Sequence, residues 1–105
     1  MSREHLPNRR RCETVEFAHA GQLFRLSIGH FDDGRPGELF LSAHHVGSPL
    51  EALARDSAIL VSLCLQHGVA IETIRHALTR DHDASAATAI GAALDALAGR
   101  MEVSL

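Results

Sequence analysis

The densest group of reactive side chains lies in residues 31–41, FDDGRPGELFL. Asp32, Asp33 and Glu38 fall within a span of seven residues, with apolar segments on both sides. A calcium loop of the EF-hand type needs about 12 residues, oxygen ligands at alternate positions and flanking helices. General acid–base catalysis needs a carboxylate with a shifted pKa in a cleft, whereas a hairpin tip is normally wet. The spacing therefore favours a turn between strands, with Asp33, Arg35 and Glu38 as contacts to a partner or ligand.

Histidines are the second candidate group, because the chain has eight of them. None shows the close HxH, HxxxH or HExxH spacing of metal ligands. If the strands predicted below are correct, His19 and the pair His44 and His45 fall at one end of the sheet, and His30 at the other. Imidazoles from these strands could hold zinc, although neighbouring residues point to opposite faces of a strand, so only one of the pair could join. The alternative is a set of scattered surface histidines.

The two cysteines form no spaced pair, which excludes a disulfide framework and a four-cysteine zinc site. Cys64 lies between two leucines and three residues before His67 on a predicted helix, so the two side chains could touch. A nucleophilic thiol needs a lowered pKa, and the apolar neighbours of Cys64 favour a buried structural role instead. Cys12 follows three arginines on a segment expected to be mobile. An enzyme of unknown type that uses Cys64 and His67 stays as an alternative.

The elements that must position these residues begin with alternating apolar and polar residues from Glu13 onward, which is the strand pattern. A turn at Ala20 and Gly21 would place Phe17 opposite Phe24 with their side chains on one face, so register and hydrophobic pattern agree. Residues 33–37 form the next turn, and a third strand begins near Leu39. The length of that turn leaves the register of the third strand open.

Three helices follow the strands. Ser48, Pro49 and Glu51 have the spacing of a capping box with proline at the first helical position, and Gly68 would end the helix just after His67. The second half of this helix is apolar nearly all round, which predicts a place in the centre of the fold. A second helix is predicted from about Ile71, and a third over residues 85–100. The order β-β-β-α-α-α predicts an α+β fold, a meander with the helices on one face of the sheet.

Size and charge restrict the function. The 105 residues fit one domain, which we predict over residues 12–105 after a flexible basic arm at residues 1–11. A net charge of −3 argues against nucleic acid as the main partner. No apolar run approaches the roughly 20 residues of a membrane span, and no apolar segment follows the arginines at residues 9–11, so neither a membrane anchor nor a signal peptide is expected. Unpaired cysteines indicate a reducing cytoplasm.

Taken in order, the segments LPNRRRCETVEF, GQLFRLSIGHFDDGRPGELFL, GSPLEALARDSAILVSLCLQHGVAIETIRHAL and AIGAALDAL carry a family resemblance. The sequence resembles the TSCPD-type domain found at the C-terminus of adenosylcobalamin-dependent ribonucleotide reductases and as small free-standing proteins. The resemblance runs from about Leu6 to Leu97. Its most specific pieces are Asp33-Gly34 with Pro36 and Glu38, Gly47-Ser48, Ser62-Leu63 with Leu65-Gln66, and Gly68-Val69.

The resemblance implies a link to deoxyribonucleotide synthesis. Reductases of that kind depend on a thiyl radical cysteine, a reducing cysteine pair and a large barrel, and this chain has two unpaired cysteines and no barrel. The Cys-Pro-Asp part of the family's naming motif is also absent, since Cys12 precedes Glu13 and Cys64 precedes Leu65. We therefore expect a free-standing, non-catalytic accessory or regulatory domain that binds a reductase, another nucleotide enzyme or a nucleotide, with no cofactor of its own.

Self-association is also expected from the sequence. A small domain with two sheet edges gains stability when a second copy covers its exposed surfaces, and two-fold dimers are the commonest arrangement. Ala86, Ala89 and Ala93 recur at helical spacing and would let another helix approach closely. We therefore predict a homodimer with the third helix or a sheet edge in the interface.

Overall fold

The computed structural model describes residues 2–44 and 47–103, with side chains up to residue 100. Three strands, β1 (Cys12–His19), β2 (Gln22–His30) and β3 (Pro36–Ala43), form an antiparallel sheet in the order β1-β2-β3. Phe17 lies opposite Phe24, as predicted. The connecting turn has Ala20 at φ 51° and Gly21 at φ 76°, the left-handed pair that two-residue hairpins require.

The register of β3, which the sequence left open, pairs Leu39 with Ile28 and shifts at Gly29 and His30. The β2–β3 turn is closed by two backbone hydrogen bonds, from the Gly34 amide to the Phe31 carbonyl (2.9 Å) and from the Phe31 amide to the Arg35 carbonyl (2.8 Å). Gly34 has φ 91°, a conformation that residues with a Cβ rarely adopt. The predicted turn is therefore confirmed.

Three helices follow: α1 (Pro49–Gln66), α2 (Ile71–Ala77) and α3 (Ala89–Val103). The side chain of Ser48 accepts a hydrogen bond from the Glu51 amide at 3.1 Å, which confirms Ser48 as the N-cap of α1. The Glu51 carboxylate accepts from the Gly47 amide at 2.8 Å, one residue before the position expected for a capping box. The predicted α+β order is confirmed. None of the helices is long and apolar enough to cross a membrane within the described residues.

Helix α3 starts at Ala89, four residues later than predicted. The Asp83 carboxylate accepts hydrogen bonds from the Ser85 amide and hydroxyl, and Ala84 takes φ 70°, so residues 83–85 form a turn that competes with a helix. The Thr88 hydroxyl accepts from the Gly91 amide at 3.1 Å and caps α3. The prediction of a start at Ser85 is wrong because this threonine was not recognised as the cap.

The hydrophobic core lies between the inner face of the sheet and the helices. Its members are Phe24, Leu26, Ile28, Leu39, Leu41, Ala43, Ala54, Ala58, Val61, Leu65, Ala89, Ile90, Ala93, Leu94 and Leu97. Ala86 is also buried. The predicted alanine stripe of α3 therefore faces the chain's own interior, and its proposed role in a dimer interface is wrong. Aliphatic side chains dominate the core.

Helix α1 is not buried on all sides. Ala58, Val61 and Leu65 pack inward, whereas Ile59 and Leu60 on the opposite side are exposed. The prediction that the second half of α1 lies in the centre of the fold is therefore wrong. Apolar residues all round a helix indicate burial, and here the chain itself supplies cover for only one side.

Two buried polar side chains of α1 bind the outer edge of β3. The Ser62 hydroxyl accepts a hydrogen bond from the Leu39 amide at 2.8 Å, and it lies 2.8 Å from the Ala58 carbonyl and 3.1 Å from the Leu39 carbonyl. The Gln66 side-chain amide donates to the Gly37 carbonyl at 2.9 Å. An edge strand otherwise presents unpaired backbone groups, so α1 serves as the neighbour that β3 lacks.

An ion-pair cluster joins α2, the following loop and α3. The Arg80 guanidinium makes two contacts of 2.7 and 2.8 Å with the Asp95 carboxylate, and Arg75 makes a third at 3.0 Å. The hydrogen bonds from Arg80, and to a smaller extent those from Arg75, lower the pKa of Asp95 to about 2 although partial burial works against this. Since bidentate arginine pairs are the stronger kind of ion pair, the cluster fixes the short α2 against α3.

The Ser62→Ala substitution should lower the free energy of unfolding by about 1–3 kcal/mol, because it leaves the Leu39 amide without its acceptor. Chemical denaturation measures the change. Ser57→Ala is the matched control, because among the described residues the Ser57 hydroxyl bonds only the Ala54 carbonyl of its own helix. That variant should change stability by less than about 0.5 kcal/mol. Equal effects of the two substitutions would contradict the bridging role of Ser62.

The Asp95→Asn substitution should cost about 1 kcal/mol at neutral pH, since solvent screens a carboxylate that is one-third exposed. A depressed folded-state pKa stabilises the fold above the ordinary aspartate pKa of about 3.9, and this stabilisation is lost as the pH falls through about 2. The difference in the free energy of unfolding between wild type and Asp95→Asn should therefore shrink over that pH interval, as measured by denaturation curves. Asp32→Asn, which removes an exposed carboxylate, is the control. A difference that does not vary with pH would argue against the cluster.

Candidate interaction surfaces

The β2–β3 turn brings Asp33 and Arg35 together. The Arg35 Nε donates to Asp33 Oδ2 at 2.7 Å, its Nη2 donates to Glu4 Oε2 at 2.9 Å, and its guanidinium lies 4.7 Å from the centre of the Phe31 ring. Hydrogen bonds from the backbone and side chain of Arg35 lower the pKa of Asp33. We name Glu4, Asp32, Asp33 and Arg35 the turn surface. Arg35 is half exposed and is held from three sides, so its position is fixed before any partner arrives.

Glu38 is separated from the turn surface. Its carboxylate pairs with Arg10, and its side chain lies across Gly29, where an added Cβ would come within 2.6 Å of Glu38 Oε1. A side chain at position 29 would therefore displace this ion pair. The structure joins Asp33 with Arg35 but gives Glu38 a different partner, so the three residues predicted as one contact site form two groups.

The N-terminal segment, residues 2–11, precedes β1 and contains no helix or strand. It nevertheless lies against the domain. The Glu4 amide donates to the Gln66 carbonyl, the Arg3 Nε donates to the Gln66 side chain, and the His30 amide donates to the Arg11 carbonyl. Together with the ion pairs of Glu4 and Arg10, these contacts place residues 2–11 against the domain. The sequence could not show them because each joins residues far apart in the chain. The flexibility of residues 1–11 stays a prediction.

His30 is a buried residue that the sequence analysis left aside. Its Nε2 lies 2.8 Å from Glu13 Oε1, and its Nδ1 lies 3.0 Å from the Gly34 carbonyl. Glu13 also contacts Arg100 at 2.8 Å, and the hydrogen bonds from His30 and Arg100 outweigh partial burial and lower the pKa of Glu13. The imidazole thus connects β1 to the β2–β3 turn, and Glu13 extends the connection to α3.

The structure describes only part of the predicted histidine site. His19 ends β1 and His44 follows β3 at the same end of the sheet, as expected, whereas His30 lies at the other end. His45 lies outside the described residues, so a zinc site that uses His19 with His44 or His45 stays a prediction. Among residues 2–44 and 47–103, no three histidine, cysteine, aspartate or glutamate side chains are grouped to hold a metal ion.

A cavity of about 510 Å³ opens beside His19, between the β1–β2 turn and the loop after α2. Its walls are mostly alanine, with polar groups from His19, Asp81, Ser85 and Asp95. The Asp95 carboxylate already forms ion pairs with Arg75 and Arg80. The cavity is open to solvent.

Both cysteines are exposed. The prediction of a buried structural Cys64 is therefore wrong, because Cys64 lies on the outward side of α1 with Leu60 and not on the core side with Val61. His67, the suggested catalytic partner, is also exposed. Residue type alone could not distinguish the two sides of a helix that is apolar nearly all round.

Comparison with known proteins identifies relatives. The sequence matches the model of the TSCPD domain over residues 3–104. It is 42% identical to the vitamin B12-dependent ribonucleotide reductase of Agrobacterium fabrum and 39% identical to that of Bradyrhizobium diazoefficiens, each over 77 residues. These matches cover 73% of this chain and 6% of each relative.

A third reductase of the same name, from Rhodopirellula baltica, is 36% identical over 72 residues, which is 69% of this chain and 7% of the relative. No solved structure gives a significant match. The chain thus spans a small part of the reductases that it resembles, and the family match extends over nearly all of its own length. The chain belongs to the TSCPD domain family.

Proposed function

We propose that this chain is a non-catalytic accessory domain in deoxyribonucleotide synthesis, which acts by binding a protein partner, either a ribonucleotide reductase or another nucleotide enzyme. The observation that carries the proposal is the family match over nearly the whole chain, together with the finding that the matches to the related reductases cover only 6–7% of each reductase. A part that small is better suited to contact a large catalytic body than to replace it. Two exposed, unpaired thiols are consistent with a reducing cytoplasm.

Local charge favours a protein partner over a nucleotide. The turn surface has three carboxylates and one guanidinium, and Asp81 and Asp95 line the cavity beside His19. A nucleotide brings several negative charges, which the carboxylates at both places would repel. A protein can instead present its own arginines or lysines to the carboxylates and an acidic side chain to Arg35.

The turn surface is the part of the molecule that we assign to this partner. Asp33 and Glu4 hold the Arg35 guanidinium in one orientation, and the guanidinium lies over the face of the Phe31 ring. A cation fixed in this way loses little side-chain freedom on binding, which lowers the entropic cost of the contact. Arg35 would then fix the orientation of the partner, and Asp33 would fix that of Arg35.

Reversing the charge of Arg35 should weaken capture of the partner. The wild-type chain is immobilised, and a purified vitamin B12-dependent ribonucleotide reductase from the same organism is titrated over it. Arg35→Glu should reduce the affinity by about tenfold or more. Arg25→Glu is the matched control, since Arg25 is equally exposed and pairs with Glu16 on the outer face of the sheet. That variant should bind within about twofold of wild type.

A parallel capture from native lysate, with mass spectrometric identification, covers partners other than the reductase. Recovery of neither a reductase nor another nucleotide enzyme would overturn the proposal. A rise in melting temperature with a nucleoside triphosphate, or a diphosphate, would replace protein binding by nucleotide binding. We expect no such rise.

A further inference from the structure

Helix α1 presents an uncovered apolar face. Leu53 is 70% exposed, Ile59 53%, Leu60 64% and Leu63 38%. Single exposed leucines are common on protein surfaces, but a continuous apolar strip on one helix marks an interaction site. No charged residue occurs between positions 57 and 66, so the strip has no interruption over the second half of the helix.

The residues of this strip follow a seven-residue repeat. Leu53, Asp56, Leu60, Leu63 and His67 are separated by three, four, three and four positions. This is the a and d spacing that places side chains along the seam of a two-helix coiled coil. We name these five residues, four on α1 and His67 at its C-cap, the α1 seam. Ile59 and Cys64 flank it.

The α1 seam is complementary to the seam of a second copy that runs antiparallel to it. In an antiparallel pair, positions whose numbers share one sum lie opposite each other, and a sum of 123 places a positions against d positions from residue 56 to residue 67. Leu53 would face position 70, which lies beyond the end of α1, so it stands outside the paired stretch. Leu60 then meets Leu63 of the second copy, and Asp56 meets His67 of the second copy. Each contact occurs twice because the two-fold axis relates the copies.

The charges of the α1 seam support this register. Within the described residues, the side chains of Asp56 and His67 make no hydrogen bond or ion pair, although most other charged groups of the domain are paired. The antiparallel arrangement gives each Asp56 carboxylate an imidazole N–H donor. It also places Leu60 and Leu63 of both copies between two polar contacts, which would fix the register against slippage.

We propose that α1 of one copy pairs antiparallel with α1 of a second copy through the α1 seam, and that the chain is a homodimer. The occupant is a second copy because the seam between positions 56 and 67 matches itself in both apolar and polar positions. A partner of different sequence would not require this symmetry. The paired stretch from position 56 to position 67 is about 18 Å long, so the interface is small and the dimer is expected in the micromolar range.

Leu60→Glu should produce a monomer. Light scattering over roughly 1–100 µM, the range in which a small interface dissociates, should show the wild-type mass rising from one chain to two. The variant should keep the mass of one chain throughout. Leu23→Glu is the matched control, because Leu23 is also half exposed but lies on β2, and it should dimerise like wild type. A wild-type mass of one chain at the highest concentration would overturn the proposal.

A charge exchange tests the register. His67→Glu places two carboxylates opposite each other at both ends of the seam and should weaken the dimer by about tenfold. Adding Asp56→Lys to the same chain restores opposite charges and should return the dissociation constant to within about threefold of wild type. His82→Glu, the same change at an exposed position outside the seam, should have no effect. Failure of the second change to rescue would contradict the antiparallel register.

The two cysteines provide an internal readout in the unmodified protein. Cys64 lies opposite Ile59 of the second copy in this arrangement, whereas Cys12 is on β1. The rate at which a thiol reagent labels Cys64 should fall as protein concentration rises, and the rate for Cys12 should stay constant. If the labelling rate of Cys64 stays constant while light scattering shows the mass rising to two chains, the interface lies elsewhere.

Discussion

The outer edge of β3 sets the main constraint on this small fold. A three-stranded sheet has two edges, and the backbone groups of each need partners or water. At β3 the need is met by Ser62 and Gln66, which reach from α1 to the Leu39 amide and the Gly37 carbonyl. Both side chains are buried, so the position of α1 along β3 is specified by hydrogen bonds as well as by apolar packing.

Much of the remaining structure depends on that placement. Because the side chain and the carbonyl of Gln66 also bind Arg3 and the Glu4 amide, the N-terminal segment is held by the same residue that holds β3. Glu4 then reaches Arg35 and closes the turn surface. The inward side of α1 is occupied by β3 and the core, and its opposite side is left apolar and exposed. The two surfaces that we propose for partners are thus both consequences of one helix lying on one strand edge.

Local signals in the sequence predicted the elements well. Alternation fixed the register of β1 and β2, and Ser48 with Pro49 fixed the start of α1, because these effects act between residues close in the chain. Family resemblance pointed to Ser62 and Gln66, for which the structure supplies a physical reason. The start of α3 was misplaced because Thr88 and Ser85 are both acceptable caps, and only the turn at residues 83–85 decides between them.

Features that rest on distant contacts could not be read from the sequence. The attachment of residues 2–11 depends on hydrogen bonds to distant residues such as Gln66. The burial of Ala89 and Ala93 and the exposure of Cys64 depend on which side of a helix faces the core. The turn residues Asp33 and Arg35 were correctly singled out, but their link to Glu4 was not foreseeable. His30 was predicted only to lie at the opposite end of the sheet from His19, and its contacts with Glu13 and Gly34 became apparent only in the folded chain.

Amide hydrogen exchange at Leu39 tests the central claim, that α1 closes the edge of β3. In an antiparallel sheet the amides of Leu39 and Phe40 point in opposite directions, so the Phe40 amide bonds β2 while the Leu39 amide faces Ser62. Both amides should therefore exchange slowly, at rates within about tenfold of each other. Rapid exchange at Leu39 beside a protected Phe40 would show an open edge and would contradict this account of the fold.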